Sequence, residues 1–79
     1  MRVRVKLFAT LNRYVEGVRS GTPFEVELPD GATVGDLVNH LNLPREEVKV
    51  AFVEGRARPM DWPLKPGDEV GVFPPVGGG

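Results

Sequence analysis

Thr33-Val34-Gly35-Asp36-Leu37-Val38-Asn39-His40-Leu41 is the stretch on which the fold turns. Val34, Leu37, Val38 and Leu41 fall at i, i+3, i+4 and i+7, the apolar stripe of an amphipathic helix. Thr33 suits an N-cap. Asp36, three residues on, stands where the reciprocal partner of a capping box sits. The turn Pro29-Asp30-Gly31 leads in, and Pro44 stops the segment, with Asn42 near its C-terminal end. This is the main helix of the chain, and most of what flanks it alternates instead.

Arg2 to Phe8 has period two, with Val3, Val5 and Leu7 on one side and Arg2, Arg4 and Lys6 on the other. That is a half-buried strand. Phe24 to Leu28 repeats the pattern, Phe24, Val26 and Leu28 inward, Glu25 and Glu27 outward. The outward bases of one and outward acids of the other suit an antiparallel ladder. Between them Leu11, Tyr14, Val15 and Val18 have helical spacing, predicting a short helix over about residues 9–16 that Gly17, Gly21 and Pro23 end. Pro44-Arg45-Glu46-Glu47 offers one more helical turn. Val48 to Val53 reads as a strand with Val48, Val50 and Phe52 on one face. Glu54-Gly55 turns it into a short return strand, Arg56 to Arg58. Residues 59–68 hold Pro59, Pro63, Pro66 and Gly67 and read as irregular, and a last strand runs from Glu69 to Phe73. The expected fold is α+β, a small mixed sheet covered by one main helix.

The totals bound the function. Seventy-nine residues make one domain with a small core. A net charge of −1, with acids and bases interspersed, argues against nucleic acid as the main partner. No apolar run is long enough to span a membrane, and Met1 to Lys6 does not resemble a signal peptide. The chain has no cysteine, hence no disulfide framework, thiolate metal site or cysteine nucleophile. A cytoplasmic location is the default expectation.

An independent active site does not emerge. The single histidine, His40, lies off the apolar stripe and reads as a solvated surface residue. No metal cluster and no nucleophile–base–acid set is present. The carboxylates sit on solvated strand faces and in turns. Gly77-Gly78-Gly79 is no phosphate loop, because no helix follows it to hold an anion.

What remains is the end of the chain, Pro74-Pro75-Val76-Gly77-Gly78-Gly79. Residues 1–73 read as the domain and residues 74–79 as a flexible tail that it presents. Pro74 and Pro75 stiffen the exit, and three glycines leave the tip bare. Val76 to Gly79, fully extended, would reach about 13 Å. Such a tail can thread into a narrow pocket on another protein; it also reads as an ordinary frayed terminus or a remnant of a glycine-rich linker. The α-carboxylate of Gly79 is inert until activated, for example as an acyl-adenylate, after which a sulfur nucleophile could displace AMP and leave a thiocarboxylate.

Four stretches carry a resemblance over essentially the whole length. They are Lys6-Leu7-Phe8-Ala9-Thr10-Leu11, Gly31-Ala32-Thr33-Val34-Gly35-Asp36-Leu37, Leu64-Lys65-Pro66-Gly67-Asp68-Glu69-Val70, and Val72-Phe73-Pro74-Pro75-Val76-Gly77-Gly78-Gly79. The chain resembles the ubiquitin-like sulfur-carrier family, which includes the small subunit of molybdopterin synthase and the thiamine-pathway sulfur carrier. The last stretch is the most specific. The resemblance implies a β-grasp fold with the first and last strands parallel at the sheet centre. It implies that Gly78-Gly79 is the functional diglycine and that Gly79 carries the acyl-adenylate and then the thiocarboxylate. Phe73, Pro74, Pro75, Val76 and Gly77 are the implied partner-binding residues. It implies no bound cofactor and no metal. An E1-like adenylating enzyme would consume ATP, and the large subunit of molybdopterin synthase would receive the tail and supply catalysis.

Gly77 departs from the alanine often found in molybdopterin-type chains, and three terminal glycines also occur in thiamine-type carriers. The Leu7-Phe8-Ala9 strand end, the helix after it and Phe73-Pro74-Pro75 favour the molybdopterin type. Sulfur transfer to thiamine or tRNA is the alternative, together with conjugation through Gly79 as a protein modifier. A plain interaction module with an inert tail is the third class. Phe73 has outward parity, and reads either as a docking contact or as the second face of a buried central strand. Met60 and Trp62 either close the open end of the core or join a docking patch. Arg56 and Arg58 read as a solvated turn.

Overall fold

The computed structural model describes residues 1–75 of the chain. Five strands form one sheet: β1 (Arg2–Leu7), β2 (Phe24–Glu27), β3 (Val50–Val53), β4 (Arg56–Arg58) and β5 (Glu69–Phe73). Their spatial order is β2-β1-β5-β3-β4. β1 and β5 pair in parallel, and the other neighbours pair antiparallel. The single α-helix, α1 (Val34–His40), covers one face, and two 3-10 helices, Ala9–Tyr14 and Arg45–Glu47, fill connections. This is the mixed sheet under one helix that the alternating strands and the single stripe predict.

Local chemistry sets each boundary. The Thr33 side chain accepts from Asp36 N at 3.1 Å, and Asp36 Oδ2 accepts from Thr33 N at 2.9 Å, a complete capping box. At the other end Asn42 has φ 57°, Asn42 N donates to Asn39 O and Leu43 N donates to Val38 O. That is a Schellman ending with asparagine in the left-handed position. Glu54 and Gly55, at φ 51° and 83°, form the two-residue hairpin turn between β3 and β4. Arg2 on β1 bridges Glu27 at 2.9 Å and Glu25 at 3.7 Å on β2.

The core lies between α1 and one face of the sheet. Val3, Val5 and Leu7 of β1, Val70 and Val72 of β5 and Ala51 and Val53 of β3 meet Val34, Leu37 and Val38 of α1. Loop residues Leu28, Leu43, Val48 and Leu64 close its edges. Burial of this apolar surface is the main driving force for the fold.

Two expectations are corrected. The face assigned to β3 is inverted: Ala51 and Val53 are buried, Val50 is half-buried, and Phe52 is 37% exposed. All four residues of β3 are apolar, so alternation does not mark a face. Register does, because Ala51 lies opposite Val72 and Val53 opposite Val70, and cross-strand partners share a side. Val48 is buried from the connection that precedes β3. The first helix is 3-10, not α, and stops at Tyr14. It has no side-chain cap, and Val15 after it is extended. Leu11 is fully buried all the same, with Tyr14, Val15 and Val18 packed against the core.

Candidate functional site

β5 is the centre of the sheet, so whatever follows Phe73 leaves from the most constrained strand. Phe8 N donates to Val72 O at 3.1 Å from one side, and Lys49 N donates to Phe73 O at 2.8 Å from the other. The strand is thus held to its last residue. Pro74 and Pro75 then supply no N–H for a further ladder, and the chain leaves the sheet. Pro74 is half-buried and Pro75 exposed. Val76, Gly77, Gly78 and Gly79, the sequence-derived tip, lie outside the described residues.

Phe73 points to the face of the sheet away from α1. Its ring stacks on Phe8, with centroids 4.2 Å apart and planes 2° from parallel. Phe52 meets it edge-on at 5.5 Å and 84°. Both geometries are favourable for aromatic pairs. Gly71 makes room for the cluster: a Cβ there would lie 3.3 Å from Phe8 Cε2 and 3.6 Å from Phe73 Cε1. The three rings and Gly71 border an open cavity of about 360 Å³, flanked by Arg4, Lys6 and Glu69.

The structure therefore brings Phe73 and the proline exit together, and adds two residues that the site reading lacked. Phe8 continues the outward parity of Arg2, Arg4 and Lys6, which was a usable signal. Phe52 carried none until the register of β3 was known. The two readings of Phe73 merge, since it is half-buried in an aromatic cluster on an otherwise open face. Met60 and Trp62 pack against the core, and their carbonyls accept from Gly35 N at 2.7 Å and Val34 N at 3.0 Å. They thus serve the start of α1. Arg58 lies over the Trp62 ring at 4.0 Å, while Arg56 and His40 are exposed. Among the described residues, no three His, Asp or Glu side chains gather as metal ligands, and no helix is long and apolar enough to cross a membrane.

Comparison with known proteins gives the relatives. Residues 5–79 match the family model described as the ThiS family. A Pyrococcus furiosus structure described as molybdopterin converting factor, subunit 1, is 36% identical, with a TM-score of 0.74, and the match covers 96% of this chain and 99% of that one. The small archaeal modifier protein SAMP1 of Haloferax volcanii is 31% identical, with a TM-score of 0.72 and both chains wholly covered. A ubiquitin of Caldiarchaeum subterraneum, 22% identical, shares the β-grasp fold with a TM-score of 0.60 over 100% of this chain and 98% of that one. No curated protein matches the chain. With a stiff exit at the end of a central β-grasp strand and a family match that runs through Gly79, the chain belongs to the ThiS family of ubiquitin-like sulfur carriers.

Proposed function

We propose that this chain is the sulfur-carrying small subunit of a molybdopterin synthase, working in the cytoplasm. The observation that carries the reading is its 36% identity, over nearly the whole of both chains, to the Pyrococcus furiosus subunit 1. The specific ending Phe73-Pro74-Pro75-Val76-Gly77-Gly78-Gly79 supports it. The chain is a co-substrate, and partner enzymes supply the catalysis. An E1-like adenylating enzyme joins the Gly79 carboxylate to the α-phosphorus of ATP and releases pyrophosphate. A hydrosulfide-level sulfur attacks the acyl carbon, AMP leaves, and a thiocarboxylate remains. The tail then enters the large subunit, which spends that sulfur on the pterin precursor. Gly77 and Gly78 keep the tail narrow enough for both enzymes, while Phe73, Pro74, Pro75 and Val76 contact the partner at the channel mouth.

A second reading is that Gly79 is conjugated to lysines as a protein modifier. Full coverage of the archaeal modifier at 31% identity favours it. Deleting Gly79 tests the common step. The truncated chain keeps its circular dichroism spectrum but no longer supports ATP–pyrophosphate exchange with the adenylating enzyme from the same cell. A truncated chain that still takes AMP and sulfur overturns the proposal. Sulfurated chain mixed with the large subunit and precursor then separates the readings, since only the synthase subunit yields the dithiolene product.

A further inference from the structure

The open face of the sheet is divided by charge as well as by polarity. Away from the tail exit, Arg2 is neutralised by Glu25 and Glu27. Toward the exit, Arg4 and Lys6 border the aromatic cavity, and neither takes part in an ion pair among the described residues. The one carboxylate at the cavity is Glu69, so two cations face one anion there. The chain as a whole carries −1, so the cavity is locally of opposite sign to the rest. Its floor and walls are apolar: Phe8, Phe52 and Phe73 around Gly71.

We propose that this cavity is a docking pocket for a protein segment that seats an apolar side chain among the three rings and sets carboxylates against Arg4 and Lys6. The apolar part supplies affinity, because water leaves three aromatic surfaces together. The charged rim supplies selection and rate, because a basic segment would meet unpaired cations. A nucleic acid does not fit, since two cations beside an apolar hollow neutralise too few phosphates. The inference concerns recognition and stands whatever chemistry occurs at Gly79.

The test uses the full chain, labelled with ¹⁵N, and two capped hexapeptides. One has a central Leu-Phe flanked by Asp and Glu; the other has Lys at every flanking position. The acidic peptide is expected to move the amides of Lys6, Phe8, Phe52, Gly71 and Phe73. It is expected to bind about tenfold more tightly than the basic one at low salt, as two exposed ion pairs of up to about 1 kcal/mol each allow. The difference should shrink severalfold in 0.5 M salt, where screening is short-ranged. An Arg4→Glu, Lys6→Glu double variant with a dispersed amide spectrum should reverse the preference. Equal binding of the two peptides, shifts centred elsewhere, or no binding of either at millimolar concentration overturns the inference. The peptide comparison needs no variant, so a double variant that fails to fold does not weaken it.

Discussion

Thr33 and Gly71 show how single residues set local geometry in opposite ways. Thr33 contributes atoms: its hydroxyl and the Asp36 carboxylate satisfy two amides that α1 would otherwise leave open. Thr33→Ala should lower stability by about 1 kcal/mol, or about 4–8 °C in Tm for a domain of this size. Thermal unfolding followed by circular dichroism checks it, and an unchanged Tm would show that the cap is idle. Gly71 contributes the absence of atoms. Its missing Cβ lets Phe8 lie across the strand onto Phe73. Gly71→Val should displace the Phe8 ring and cost about 1–3 kcal/mol, the usual range for overpacking. Ring-proton shifts of Phe8 and Phe73 report whether the stack is lost. The capping box was legible in the sequence because its partners are three residues apart. The stack was not, because Phe8 and Phe73 meet only once the parallel register of β1 and β5 is fixed.

The elements differ in how plainly they were written. α1, β1, β2 and β5 carry clean periodicities, since each has one buried and one wet side. β3 is apolar on both sides, and its facing was settled by pairing with β5. The segment after β1 has helical spacing but no cap and only six residues, and it took the tighter 3-10 form. α1 is the only α-helix over the sheet, so its central contact should dominate stability. Leu37 is fully buried between the helix and the strands. Leu37→Ala should cost about 2–5 kcal/mol, as buried leucines do, a large share of what a domain this small has. Urea unfolding measures it, and a loss below 1 kcal/mol would mean that the site collapses around the alanine.

At the scale of the whole molecule, the sheet has one face sealed by α1 and one face open, and its central strand leads to the tail. Interior strands are the best held in a sheet, so the domain can aim a narrow tip without ordering the tip itself. The sheet centre, the proline exit and the aromatic face thus work as one presenting device. The sequence showed the exit and the tip. It did not show the face, which draws Phe8, Phe52, Gly71 and Phe73 from three strands and one strand end that only the fold assembles.

The central claim is that Gly79 carries sulfur. The direct measurement is the intact mass of the chain after incubation with its adenylating enzyme, ATP and a sulfur donor, with the terminal peptide sequenced. The account predicts a mass raised by one oxygen-to-sulfur exchange, located at Gly79 and absent when ATP is omitted. A chain that forms no adenylate and keeps its mass under the same conditions would contradict it.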